Sequence, residues 1–155
     1  MEIRFPRKPR VLCLHGFRTS AEILRKQLQR WPEPVLRKLD LVFIDAPFLA
    51  RGRSGIERLF DPPYFEWFQS NKGFTEYYNF DECLAYLEDY MMKHGPFDGE
   101  KDFLKEQGIE LLRSFEDPFV IYHSNGHVVP GLDDKDEVTM LHFIEKIEKL
   151  QLQEV

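Results

Sequence analysis

Asp102 and His127 are the two residues whose types and spacing point to bond-making chemistry. Asp102 stands in "GEKDF", read as a loop before a helix marked by Leu104, Leu111, Leu112 and Phe115. A strand, "FVIYH" (Phe119 to His123), follows, and then the loop Ser124-Asn125-Gly126-His127. An acid, one helix, one strand and then a histidine is the late-chain order of a Ser…Asp…His triad. In such a triad the aspartate orients the imidazole, and the imidazole takes the nucleophile's proton. Each residue also has a plainer reading. Asp102 suits a helix N-cap, and His127 suits a turn histidine bonded to backbone. The two together, at this spacing, are what favour a catalytic dyad.

The third member is harder to place. A triad serine of this order belongs in a G-x-S-x-G elbow between a strand and a helix. Ser20, Ser54, Ser70, Ser114 and Ser124 all lie outside that pattern. "GRSG" at Gly52 to Gly55 is nearest in letters, but no buried strand precedes it, so Ser54 reads as a turn residue. Cys13 lies mid-strand and Cys83 within a helix, so neither replaces the serine. On the oxyanion side, "LHGF" ends the first strand. The backbone N–H of Phe17, after Gly16, is a candidate donor to a developing negative oxygen. Other chemistries fit less well. His123 and His127 are separated by residues that deny a helix, and His15, His94 and His142 form no ligand spacing, so no metal is expected. "GFRTS" lacks the lysine and glycine of a phosphate loop. No cofactor is expected.

The elements that must position these residues alternate. "RVLCLHG" (Arg10 to Gly16) is a short apolar run of the kind buried on both faces of a parallel sheet. Thr19 and Glu22 form a T-x-x-E capping box, predicting a helix to about Gln29 with Ile23, Leu24, Leu28 and Trp31 inward. Pro32 and Pro34 stop it. "LDLVFIDAP" (Leu39 to Pro47) is a second buried strand. Residues 48–80 lose periodicity and gather aromatics, Tyr64, Trp67 and Phe68 among them. Asn79 and Glu82 form a second capping box before a helix through about Lys93, with Leu84, Leu87 and Met91 on its apolar side. Asp133 or Asp134 caps a last helix carrying Val138, Leu141, Ile144, Ile147 and Leu150. Strands alternating with helices imply a parallel sheet covered on both faces.

Composition bounds the rest. With 155 residues and 43% hydrophobic content, the chain suits one domain, residues 1–155, with 48–80 as an aromatic-rich insertion. A net charge of -6 argues against nucleic acid as a partner. No apolar run is long enough to span a bilayer, so no membrane partner is expected. Two cysteines without metal spacing suit a reducing compartment, the cytoplasm with the nucleus as a second location.

"RVLCLHGFRTSAEI", "FIDAPF", "PYFEWF", "NFDECLAYLEDYMMKHGPFDG" and "GHVVP" together resemble the FSH group of small serine hydrolases, most closely its plant members. The resemblance covers nearly all of Arg10 to Ile147. It implies an α/β-hydrolase fold and carboxylic-ester hydrolysis. It also implies roles for Asp102 and His127 as triad acid and base, and for Gly16 and Phe17 on the oxyanion side. In the family, "GPFDG" is followed by a strand and an elbow bearing the nucleophilic serine. Here Gly99 runs straight into Glu100, at the start of the stretch that matches the family's acid.

The expectation is therefore a partial α/β-hydrolase, a truncated isoform whose short, mainly parallel sheet has helices on both faces and lacks its central strands. With the serine absent, the chain should be inactive. Tyr64, Trp67 and Phe68 are candidates to wall a pocket for an ester or acyl ligand, or else to belong to a self-packed cap. The strand "VLCL" would lose a neighbour and pair with "FVIYH", or leave an edge open to a homodimer. A non-catalytic ligand-binding or protein-interaction module is the alternative.

Overall fold

The structure, a computed structural model, describes residues 7–102 and 129–153, with residues 99–102 as backbone. β1 (Arg10–Leu14) lies at the centre of a three-stranded sheet. On one side it pairs in parallel with β2 (Asp40–Ile44), Leu14 opposite Ile44. Alternate β1 residues bury in opposite directions, as a strand packed on both faces requires. Val11 and Cys13 enter one apolar cluster, Leu12 and Leu14 the other. Leu12 and Leu14 are wholly inaccessible to solvent, and each such side chain stabilises the fold by roughly 2 kcal/mol.

The first cluster is closed by α1 (Ala21–Leu28), the short α2 (Glu33–Leu36) and the C-terminal helix. Leu24, Leu28, Trp31 and Val35 meet Met140 and Ile144 there. α1 begins one residue later than its sequence suggests. Ser20 is the cap, its Oγ accepting from Ile23 N at 3.2 Å, because the Thr19 hydroxyl is committed to Gly16 O at 3.1 Å. Pro32 is the N-cap of α2, and Pro34 sits in its first turn, where a missing N–H costs nothing.

The second cluster lies under the insertion. β3 (Phe48–Leu49) pairs antiparallel with β4 (Phe65–Glu66), and β5 (Gln69–Ser70) with β6 (Tyr77–Tyr78). α3 (Phe80–His94) brings Cys83 and Leu87 onto Leu14, Ile44 and Trp67, with Leu84 and Met91 half-buried beside them. The expected Asn79 cap is not made. Asn79 adopts a left-handed backbone, φ 65°, and its side chain turns to Gln69 instead.

After Gly95 the chain returns to the sheet as β7 (Gly99–Asp102), which pairs in parallel with the other side of β1. This corrects two expectations. Asp102 is the last residue of a strand and not part of a loop, and Gly99–Asp102 pairs with the "VLCL" edge assigned to "FVIYH". A row of unpaired N–H and C=O groups on β1 makes the place favourable for whatever backbone can reach it. "FVIYH" itself lies outside the described residues, as do Ser114, Ser124 and His127. α4 (Asp134–Gln153) closes the described chain. Asp133 Oδ1 accepts from Asp136 N at 2.8 Å, so Asp133 is its cap. Met140, Ile144 and Ile147 form its buried stripe, while Val138 and Leu150 are about half exposed, contrary to the periodicity read from sequence.

Candidate functional site

Strand register brings the loops of interest to one end of the sheet. Leu14 faces Ile44 on one side and Asp102 on the other. The turn of residues 15–18 after β1, the segment Asp45-Ala46-Pro47 after β2 and the Asp102 backbone are therefore neighbours at the carboxyl end. That is where parallel sheets place functional groups.

His15, fully buried, organises this end. Its Nδ1 donates to Gly16 O at 2.8 Å, and its Nε2 accepts from Ala46 N at 3.0 Å. The two bonds require the neutral tautomer with its proton on Nδ1. Burial lowers the imidazole pKa from 6.5 to about 4, outweighing the Gly16 carbonyl and the Asp45 carboxylate that raise it. A neutral imidazole so committed ties the end of β1 to the end of β2. The His15 carbonyl also accepts from Trp67 Nε1 at 2.7 Å, and the two rings lie 5.0 Å apart.

Gly16 and Phe17 form the turn beyond it. No described residue accepts the Phe17 N–H. The half-buried Phe17 ring is covered by the Arg18 guanidinium, 4.6 Å from its centroid, and meets the edge of Phe74. Arg18 is held in turn by Glu66, Nε to Oε1 at 2.7 Å, and by Arg53 O at 3.1 Å. Its backbone is left-handed, φ 52°, and Ser54 Oγ donates to its carbonyl at 2.7 Å. A Cβ on Gly52 would collide with the guanidinium, so that glycine leaves the space Arg18 occupies. Asp45 completes the frame: Oδ1 accepts from Ala21 N at 2.8 Å, and its carbonyl accepts from Tyr86 OH at 2.7 Å.

The aromatic candidates divide. Trp67 is a core residue, 3% exposed and spent on the His15 carbonyl. Phe68 packs edge-on against Tyr77 and Phe80 within the insertion. Tyr64, half-buried, donates to Phe60 O at 2.6 Å. Of the serines, Ser20 caps α1, and Ser54 is buried and bonded to Arg18. The buried Arg18–Glu66 pair and the His15 pin went unread in the sequence, since nothing in "HGFRT" marks a partner forty-eight residues away. Among the described residues no cluster of three His, Cys, Asp or Glu side chains is placed to hold a metal ion. No described helix is long and apolar enough to cross a membrane.

Comparison with known proteins bears on this end of the molecule. The family model "Serine hydrolase (FSH1)" matches residues 1–103. "Esterase FUS5" of Gibberella fujikuroi is 30% identical over 97 residues, covering 59% of this chain and 42% of that protein. "Esterase CG5412" of Drosophila melanogaster is 29% identical over 109 residues, 64% of this chain and 38% of that protein. "Rhodanese-like domain-containing protein 6" of Arabidopsis thaliana is 32% identical over 116 residues, 60% of this chain and 20% of that protein. The match thus spans about two fifths of the length of the two esterases. No solved structure gave a significant match.

Proposed function

The chain belongs to the serine hydrolase (FSH1) family, and from that premise we propose that it is a catalytically incomplete member. It keeps the oxyanion-side turn, with Gly16 and Phe17, and the acid and base, Asp102 and His127. The segment that carries the nucleophile strand and its elbow is missing between Gly99 and Glu100, and with it the central strands of the hydrolase sheet. One observation carries the reading: β7 starts at Gly99, fills the place beside β1 and ends on Asp102, so that an aspartate follows where a relative would supply its serine strand. The Phe17 N–H, without an acceptor among the described residues, supports an oxyanion role for that turn. Without a nucleophile the remaining groups of a triad site leave at most about 10³–10⁴-fold acceleration over water. Cys13 and Cys83, both buried and neither in a disulfide, are consistent with a cytoplasmic or nuclear location.

The test is labelling of the purified chain with a serine-reactive fluorophosphonate, alongside hydrolysis of p-nitrophenyl butyrate. No labelled serine and no turnover above buffer are expected. A labelled serine whose labelling disappears in His127→Ala would refute the proposal and identify the nucleophile. A second reading, a non-catalytic ligand-binding or protein-interaction module, draws on an open cleft at the same end of the sheet.

A further inference from the structure

Beyond the carboxyl end of β2 a cleft of about 450 Å³ is lined by Pro47, Phe48, Leu49, Arg51, Gln69 and Asn79, within the size range of small-molecule sites. We propose that it binds a carboxylate with an apolar tail, the carboxylate on Arg51 and Gln69 and the tail along Pro47, Phe48 and Leu49. This rests on the second, non-catalytic reading and requires no nucleophile.

Three observations carry it. Arg51 is exposed and has no ion-pair partner among the described residues. A guanidinium matches a carboxylate with two parallel N–H donors. Gln69 is buried, and its Oε1 accepts from Asn79 Nδ2 at 2.9 Å. Its NH2 group is thereby left over as a donor. Asn79 makes that bond from a left-handed backbone and caps nothing, so the first turn of α3 gives up its side-chain cap while the Gln69 amide is held. Finally, Leu49 is 65% exposed on the cleft wall, a large apolar surface beside the Arg51 guanidinium.

A second cleft, at the amino end of the sheet, makes the contrast. It is lined by Arg7, Lys8, Arg10 and Asp40, but Arg7 is paired with Asp98 and Arg10 with Asp40. Its two guanidinium charges are already answered from within the protein. Arg51 has no such partner among the described residues.

The experiment is a titration of the full chain with octanoate, followed by amide chemical shifts. Saturable shifts around Arg51 and Gln69 are expected. Acetate, lacking the tail, and octanol, lacking the charge, should each bind at least about tenfold more weakly. Arg51→Gln should weaken octanoate about tenfold, the scale of one charge-assisted pair, and leave octanol unaffected, while Arg30→Gln, an exposed arginine on α1's C-terminal side, should change nothing. Absence of saturable shifts, octanoate binding indifferent to Arg51→Gln, or acetate binding as tightly as octanoate would each overturn the proposal. Hydrolysis of p-nitrophenyl octanoate would instead overturn the catalytic inactivity proposed above, and would leave the octanoate result standing.

Discussion

Arg18→Met tests whether the buried ion pair behind the Phe17 turn holds this end of the molecule together. The Arg18 and Glu66 side chains are 17% and 3% exposed, with Nε and Oε1 2.7 Å apart. Two unit charges about 4 Å apart attract by about 4 kcal/mol at an effective dielectric of 20. Removing one partner of such a buried pair costs about 3–5 kcal/mol, since the other charge is stranded. Arg18 lies near enough to solvent for water to enter its place, which argues for the lower end, about 3 kcal/mol. Methionine is unbranched at Cβ and bears the same left-handed backbone, so the substitution reports the side chain. Lys93→Met is the reference. Lys93 and Asp89 are as close, 2.8 Å, but more than 60% exposed, and an exposed helical pair is worth about 0.3–0.5 kcal/mol. Urea unfolding followed by tryptophan fluorescence should show the Arg18→Met midpoint lower by about 1.5 M, taking a slope of about 2 kcal/mol per molar. The double variant Arg18→Met/Glu66→Leu should recover at least about 1 kcal/mol, because no charge is left buried. If Arg18→Met lies within about 1 kcal/mol of Lys93→Met, or the double variant is no better than the single, the pair does not do what its burial implies.

Three further perturbations probe the frame. The folded His15 pKa, about 4, lies below its unfolded value near 6.5, so between those pH values the unfolded chain takes up a proton that the folded chain refuses. Stability should therefore be full above about pH 6.5 and fall by roughly 3 kcal/mol as pH drops to 4; His15→Gln, which keeps an acceptor for Ala46 N, should lack that component of the slope in denaturant midpoints across the window. Ser20→Ala should cost about 1 kcal/mol in the same unfolding assay, the worth of a side-chain N-cap, and an unchanged midpoint would return the cap to Thr19. Burial pushes the Asp98 carboxyl up, but bonds from Arg10 N, Gln151 and Arg7 prevail and hold it below its usual range. Its contribution is present above the ordinary carboxylate pKa and lost as pH falls through the lower folded value, so Asp98→Asn should destabilise by about 1–2 kcal/mol at pH 7 and converge with the parent in acid.

The regular elements were legible because burial on two faces, or on one helical stripe, writes itself into apolar spacing. Val11–Leu14 and Leu41–Ile44 are continuous apolar runs, the first buried as read and the second only half-buried apart from Ile44, and Ile23, Leu24 and Leu28 lie on one side of α1 as read. β7 was not legible, since "GEKD" carries three charges and no strand-forming side chain. Its conformation is imposed by the open hydrogen-bonding edge of β1, a tertiary cause that propensity does not record. Caps misled for a related reason. Thr19 and Asn79 have the chemistry of a cap, but each had a second partner within reach, Gly16 O for one and Gln69 for the other. At the site, β1 ends at Leu14 as read, and of the two readings open for Trp67, a pocket wall or a self-packed cap, neither anticipates an indole held in the core by the His15 carbonyl. An indole in an aromatic run looks the same in sequence whether its N–H meets a ligand or a backbone.

The place of β7 beside β1 has a consequence for the order of assembly. Pairing β1 with β2 closes the chain between Leu14 and Ile44, whereas pairing with β7 must close it between Leu14 and Asp102, a loop about three times longer. Closure entropy grows as the logarithm of length, so the second pairing starts about 1 kcal/mol behind the first, and non-local pairings form slowly. The β1–α1–β2 unit therefore condenses early and β7 docks late. In that interval β1, an apolar strand, has one finished side and one bare side. A second chain arriving then meets a complete row of backbone donors and acceptors, and whether a folding chain matures or associates is a race between its own residues 99–102 and its neighbours in solution.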